Sequence, residues 1–386
     1  MTRSTARMAV EAAAGNTIAR RNVRVLYLVD SLRVGGKERQ ICELLKALSA
    51  NRQIDAMVVT MGSEQFYVPE IQKLGISLVY LLRRFRWDPT IFVRLLAILR
   101  QFQPDIIHTN SEMAMSYAWP LARLMGIKIV NATVRNAFSE SGFRWQWHKL
   151  MLHLANVRIS NSRAGFASRG LNPESEGNFV IYNGLDLNRF RDTRTAKEIE
   201  VDLKADGRKV VGMVAEFSDY KDFPTFIRAA QRILSRRDDV IFVTVGGGKN
   251  LEACKELAGP GETRIRFLGA RNEVEPLVHQ MNIGVLCSFT EGISNSVMEY
   301  MAAGKPVVVT DGGGSSELVT NGVHGFLVPV GRADDLAEKI EALLDAPQDA
   351  AQMGMRGRKR VEEMFSLEQL AAQHLRIYKS LTQISA

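Results

Sequence analysis

Glu291 and Glu299 stand eight positions apart in Thr290-Glu291-Gly292-Ile293-Ser294-Asn295-Ser296-Val297-Met298-Glu299. Two carboxylates can accept hydrogen bonds from the hydroxyls of a sugar or a ribose, provided the chain points both at one place. The local sequence does this. Val285 and Leu286 close an apolar strand, Glu291-Gly292 turns the chain, and Ser294 or Asn295 caps a helix. Gly304 then gives that helix a left-handed stop, and Pro306 forbids its continuation. On the helix Val297, Met298, Met301 and Ala302 share one face, while Asn295, Glu299 and Ala303 share another. Glu291 therefore lies in the loop beside the helix start, and Glu299 projects from the polar flank toward the same crevice. The free amides at the helix start form an anion site between them. Hydroxyl acceptors on either side of an anion site suit a nucleotide-linked sugar.

The elements around this stretch alternate between strand and helix. Val23 to Val29 is an apolar run broken only by Arg24, as expected of a buried parallel strand, and Gly35-Gly36 follows it and opens a helix from about Lys37. A glycine pair there lets backbone amides approach a phosphate, although many strand–helix turns carry glycine for geometric reasons alone. Strands are expected near 56–60, 77–81, 106–108 and 127–132, with an amphipathic helix over 90–102. His108, at the end of one strand, is either a residue of the acceptor or phosphate side or a packed core histidine. Val180-Ile181-Tyr182-Asn183-Gly184 reads as a strand running into a turn, in which Asn-Gly supplies positive φ. A second alternation starts at Val210. Repeats of this length mean doubly wound parallel sheets, and two of them leave a cleft between their strand ends where ligands bind. Gly246-Gly247-Gly248 lacks the spacing of a dinucleotide fingerprint.

A chain of 386 residues, 46% apolar and 24% charged, is an ordinary globular protein of two domains. No apolar run approaches the roughly 18 residues of a membrane helix, and the first residues lack the core of a secretory signal. Cys42, Cys254 and Cys287 are scattered, which argues for a reducing cytosol and against a zinc site. Charge is uneven: residues 1–190 carry 25 Lys/Arg against 14 Asp/Glu, and residues 191–386 carry 25 against 28. A basic first half implies an anionic partner. Basic and aromatic residues alternate in Arg83-Arg84-Phe85-Arg86-Trp87 and in Arg144-Trp145-Gln146-Trp147-His148-Lys149. Such mixtures suit an anionic membrane surface, single-stranded nucleic acid or plain packing at a core edge. The membrane surface is the reading taken, with no nucleic-acid partner.

With these residues in place, the chain resembles the GT-B-fold, retaining glycosyltransferases of family 4. The resemblance spans about residues 23–380. It rests on Glu291 and Glu299 with Met301-Ala302-Ala303-Gly304-Lys305-Pro306-Val307-Val308, then Gly313-Gly314 and Glu317-Leu318-Val319. Ile181 to Asp186, Gly322 to Pro329 and Gly35-Gly36-Lys37-Glu38-Arg39 match further family markers. The implied fold is α/β of GT-B type: two doubly wound Rossmann-like domains face an interdomain cleft, and a C-terminal helix returns to the first. The implied boundaries are a leader over 1–22, an acceptor domain over 23–190, a linker over 191–208, a nucleotide-sugar domain over 209–364 and the returning helix over 365–386.

Carried onto this chain, the resemblance implies that Glu291 approaches the donor sugar and Glu299 the ribose. Gly292, Ile293, Ser294, Asn295, Ser296 and the side chain of Lys221 meet the diphosphate, Arg271, Asn272 and Val274 flank the base, and Asn183 and Gly184 complete the donor site. Gly35-Gly36 closes over the phosphate from the first domain. The sequence departs from the family twice. Glu216 replaces an arginine five residues before Lys221, and Arg135 replaces a strand-end histidine, so Arg135 is the expected substitute cation and a third catalytic candidate beside Glu291 and Lys221. No cofactor or metal is implied beyond a nucleoside-diphosphate sugar as co-substrate, since charge on the leaving diphosphate would be met by a lysine and a helix end. The expected activity is transfer of a sugar to a lipid-linked or saccharide acceptor at the cytoplasmic face of the cell membrane. The competing readings are a nucleotide-sugar 2-epimerase and a non-catalytic nucleotide-sugar-binding homologue.

Overall fold

The structure, a computed structural model, describes residues 22–51, 53–85, 87–190, 203, 205–259 and 261–382. The expected leader, apart from its last residue, lies outside these, as do most of the expected linker and Arg86. Seven strands form the first sheet: β1 (Val23–Val29), β2 (Ile54–Thr60), β3 (Ser77–Tyr80), β4 (Ile106–Thr109), β5 (Lys128–Val134), β6 (Val157–Ser160) and β7 (Asn178–Val180). Their order is β3-β2-β1-β4-β5-β6-β7. Six more form the second: β8 (Lys209–Val214), β9 (Val240–Val245), β10 (Ile265–Phe267), β11 (Ile283–Leu286), β12 (Val307–Thr310) and β13 (Gly325–Val328), ordered β10-β9-β8-β11-β12-β13. Pairing within both sheets is parallel, for example Val25 with Ala56 and Val285 with Val308. The two doubly wound domains of a GT-B fold are therefore present.

The strand order explains where chemistry can occur. Each sheet reverses its winding once, between β1 and β4 in the first and between β8 and β11 in the second. At such a switch point the loops diverge and leave a crevice beyond the strand ends. Gly35-Gly36 follows β1, Lys221 follows β8, and the Glu291 loop follows β11, so three of the expected site segments fall at the two switch points. The Val180–Gly184 stretch differs from expectation: β7 stops at Val180, and neither Asn183 nor Gly184 adopts positive φ. Backbone and side-chain bonds hold the segment instead. Leu185 N donates to the Phe365 carbonyl at 2.8 Å, and Gly184 N donates to Gln40 Oε1 at 2.9 Å.

Three helices end the chain, and the last, Leu367–Thr382, crosses back to the first domain. Its Leu370, Ala371, Ile377 and Tyr378 join the core of the first sheet with Val25, Ile41 and Leu45. Burial of such side chains at roughly 25 cal/mol per Å² makes this return a structural tie between the domains. It also seals His108. Its Nδ1 lies 2.8 Å from the Tyr378 hydroxyl, Tyr27 Oη lies 3.2 Å from the same hydroxyl, and His374 Nδ1 donates to the Leu370 carbonyl at 2.9 Å. Burial holds His108 well below the usual imidazole range and pushes His374 down to about 4.

Both imidazoles are neutral in the folded protein, whereas an unfolded histidine protonates near 6.5. Between about 6.5 and 4 the unfolded chain therefore binds more protons, and acidification favours it. Replacing His374 by Phe should make the variant gain stability relative to the wild type as pH falls through that window. The expected slope is up to about 1.4 kcal/mol per pH unit, read from urea unfolding of the two proteins at matched pH. A difference independent of pH would contradict the neutral, buried state of His374.

Candidate active site in the interdomain cleft

The Glu291 loop is built by a close fit between two glycine-bearing segments. Glu291 N donates to the Gly312 carbonyl at 3.3 Å, and Gly314 N donates to the Glu291 carbonyl at 2.9 Å. Gly313 adopts φ +64°, and a Cβ there would lie 2.2 Å from the Glu291 carbonyl oxygen, so no side chain fits. Ser294 caps the Asn295–Ala302 helix by accepting from Val297 N. Among the described residues nothing accepts from the amides of Gly292, Ile293, Asn295 and Ser296. The Ser296 hydroxyl is used within the domain, donating to the Val214 carbonyl at 2.7 Å.

Lys221 reaches this loop from the β8 side. Its backbone bridges to Ser288, and its Nζ is ion-paired with Glu291. Asp222 beside it caps the Phe223–Leu234 helix by accepting from Thr225 N at 3.1 Å, which fixes the turn that aims Lys221.

The first domain closes on the loop with little room. A Cβ on Gly292 would stand 2.4 Å from Asn161 Oδ1 and 2.7 Å from the Arg135 carbonyl oxygen. Asn183 is the hub of the contact. Its Nδ2 donates to the Ile293 carbonyl at 2.9 Å and to Asn295 Oδ1 at 3.1 Å, while its Oδ1 accepts from Arg135 Nη1 at 3.3 Å. Gln40 bridges Gly184 and Asn295 in the same way, with bonds of 3.0 and 3.1 Å. Farther along, Glu317 accepts from Arg163 N at 2.8 Å and Ala164 N at 3.0 Å, and the Phe138 and Tyr220 rings meet with centroids 4.1 Å apart.

Beside this cluster opens a cavity of about 1150 Å³ between the domains. Gly35, Gly36, Glu216, Arg271, Asn272, Val274, Asn295, Ser296 and Glu299 line it. Lys221, Glu291, Gly292, Ile293, Ser294, Asn183, Gly184 and Arg135 form the adjoining cluster, joined to the cavity wall through Asn295. His108 belongs to neither; it is 1% exposed and packed under the C-terminal helix. Glu216 is an exposed residue of the cavity wall. Arg135 is turned to the hub, with Nε donating to the Ala132 carbonyl at 3.1 Å and burial lowering its pKa to about 10.

Sequence reasoning missed the cation that faces Glu299. Arg39 Nη1 lies 2.5 Å from Glu299 Oε1, and Arg189 Nη1 lies 4.0 Å from the same atom while pairing with Glu275. Arg39 was visible in the Gly35-Gly36-Lys37-Glu38-Arg39 motif, but only the docking of the two domains brings it to Glu299. Arg189, Gln40 and Asn161 carried no such sequence mark.

The two basic–aromatic stretches meet in the first domain, where each contributes a tryptophan to one groove. Trp87, Phe92, Trp119, Trp147, Leu150 and Leu154 line an apolar groove of about 490 Å³. Trp147 Nε1 donates to Ser116 Oγ at 3.0 Å, so that indole has its polar atom satisfied. Phe143 is 83% exposed and Trp87 51%. Trp145 does not join them. It is buried, stacked on His148 and covered by the Arg169 guanidinium at 5.1 Å from its ring.

Comparison with known proteins fits this geometry. A family profile for Glycosyltransferase Family 4 matches residues 34–189, and one for Glycosyl transferases group 1 matches residues 208–346. The N,N'-diacetylbacillosaminyl-diphospho-undecaprenol alpha-1,3-N-acetylgalactosaminyltransferase of Campylobacter jejuni is 27% identical over 325 residues, 78% of this chain and 85% of its own. The UDP-Gal:alpha-D-GlcNAc-diphosphoundecaprenol alpha-1,3-galactosyltransferase of Escherichia coli is 26% identical over 300 residues, 74% and 75% of the two chains. The fold is shared with Anabaena HepE, solved in complex with UDP, at a TM-score of 0.81 and 22% identity over 93% of this chain and 100% of that one. One profile falls on each side of the cleft, and the chain belongs to the GT-B glycosyltransferases of family 4, the group 1 transferases.

Proposed function

We propose that the protein transfers a sugar from a nucleoside-diphosphate sugar to a lipid-linked acceptor in cell-surface polysaccharide or glycolipid synthesis, with retention of anomeric configuration. The observation that carries this reading is the pairing of unclaimed amides at the Asn295–Ala302 helix start with Lys221 and Glu291, next to a cavity of nucleotide size. The names of the Campylobacter and Escherichia relatives specify diphospho-undecaprenol acceptors, which supports the acceptor class.

In this reading the bond between the anomeric carbon and the diphosphate oxygen breaks while the acceptor oxygen bonds the same face of the sugar. The acceptor proton passes to the departing diphosphate. Lys221 and the helix-start amides take up the charge that develops on that diphosphate, so the step needs no metal. Glu291 holds sugar hydroxyls, and Glu299 holds those of the ribose. Arg271, Asn272 and Val274 flank the base, and Arg135 steadies the reacting groups through Asn183.

Acceptors of this kind lie in a membrane, and the groove flanked by Trp87, Phe143 and Arg144 supports peripheral attachment through residues 83–87 and 144–149. Among the described residues no helix is long and apolar enough to cross a membrane. Contact with the inner face of the cell membrane fits both facts.

Two experiments test these assignments. Incubated with UDP-, GDP- and ADP-sugars, the protein should consume one donor class, and Glu291→Ala should cut that turnover by about 100-fold or more without a large change in Tm. Consumption of none of them, with or without membrane extract, would leave a nucleotide-sugar binder. Release of an epimerised sugar would indicate the 2-epimerase. Replacing Trp87, Phe143, Arg144 and Lys149 by Ser should weaken co-sedimentation with anionic liposomes by roughly tenfold or more, at about 1 kcal/mol per lost cation, and added salt should weaken the wild type. Trp145→Ala should instead lower Tm, because that ring only packs. Liposome binding untouched by the four changes would remove the membrane assignment.

A further inference from the structure

The Arg39–Glu299 ion pair joins one domain to the other at the floor of the cavity. Arg39 stands on the Gly36–Asn51 helix of the first domain, and Glu299 on the Asn295–Ala302 helix of the second. Their side chains are 18% and 3% exposed. The contact is close without hydrogen-bond alignment, and Arg39 Nη2 is buried with no partner. Oε1 of Glu299 thus keeps unused acceptor capacity in a wall that faces the cavity.

We propose that Arg39 is a positioning residue for the nucleoside half of the donor: it is the counter-ion that holds the Glu299 carboxylate for the ribose hydroxyls. This rests on Glu299 being the ribose carboxylate, as in the proposed function. Nucleoside recognition is then shared, because one domain supplies the acceptor oxygens and the other keeps them charged.

The surroundings show why the counter-ion is needed. Glu299 faces Arg39 from the Gly36–Asn51 helix, Arg189 from the Leu187–Phe190 turn and Glu275 from the Glu275–Gln280 helix, and Glu43 of the first helix lies against both arginines. Burial raises its pKa, Glu275 raises it further, and Arg39 opposes both. Without Arg39, the single guanidinium of Arg189 would face three carboxylates. A buried carboxylate left so exposed to like charge takes up a proton, and a protonated acid is a poor acceptor for two hydroxyls. Glu43, pushed up to about 7 by burial, titrates nearby, and a Glu43→Gln background removes that contribution.

The test is calorimetric titration of UDP, GDP and ADP, and of the 2′,3′-dideoxy form of whichever binds, between about pH 6 and 9. It compares wild type, Arg39→Met, Arg39→Lys, Glu299→Gln and the Met/Gln double variant, with and without Glu43→Gln. Arg39→Met should weaken binding at least about tenfold near neutral pH, the scale of one charged hydrogen bond, and the loss should shrink as pH rises and Glu299 ionises. Arg39→Lys should restore most of the affinity. The double variant should bind no worse than Glu299→Gln, and the dideoxy nucleotide should be indifferent to Arg39. Unchanged binding by Arg39→Met, an equal loss at every pH, an additive double variant, or an equal loss for the dideoxy nucleotide would each overturn the proposal. If the wild type binds none of the three nucleotides, the donor reading itself fails and the proposal fails with it.

Discussion

A carboxylate taken out of water must be met by a cation or give up its charge, and this molecule places two of them at the edge of one cleft. Lys221 answers Glu291 from within the same domain. Arg39 answers Glu299 from across the cleft. The second answer depends on the relative position of two separately wound sheets, so the chemistry of the site and the docking of the domains are one problem.

Docking is solved largely by the absence of side chains. Gly292 lets the loop lie against Asn161 and the Arg135 carbonyl, and Gly313 and Gly314 let the neighbouring strand end run beside it. With those backbones close together, Asn183 and Gln40 replace water as partners of Ile293, Asn295 and Gly184. Among the described residues the amides of Gly292, Ile293, Asn295 and Ser296 then remain without partners, available to an anion. The C-terminal helix adds an apolar tie, burying Leu370, Ile377 and Tyr378 in the first core and packing Leu370 against Gly184.

Departures from the family pattern are absorbed locally. Glu216 sits exposed on the cavity wall, where solvent carries part of the cost of its charge. Arg135 was the expected substitute, yet its guanidinium is occupied by Asn183 and the Ala132 carbonyl. It shapes the junction between the domains.

Much of the architecture is local and was readable from residue order. Mainly apolar runs at Val23–Val29 and Val240–Val245, the Ser294 cap and the Gly304 stop define strands and a helix through neighbours a few positions away. The pairing of Glu291 with Glu299 around a helix start follows from the same local geometry. Other features depend on residues far apart in the chain, and no spacing encodes them. Asn183-Gly184 read as a left-handed turn, but neither adopts positive φ, and Gln40 holds Gly184 while Phe365 holds Leu185. Trp145 and Trp147 are two positions apart and read alike, yet helix docking buries one under Arg169 and leaves the other in a groove. Sequence by itself determined two doubly wound sheets and a capped helix start flanked by Glu291 and Glu299. Only the tertiary structure decided which cation neutralises Glu299, because that choice is made by contact between domains, where a coulombic interaction depends on distance and burial and not on position in the chain.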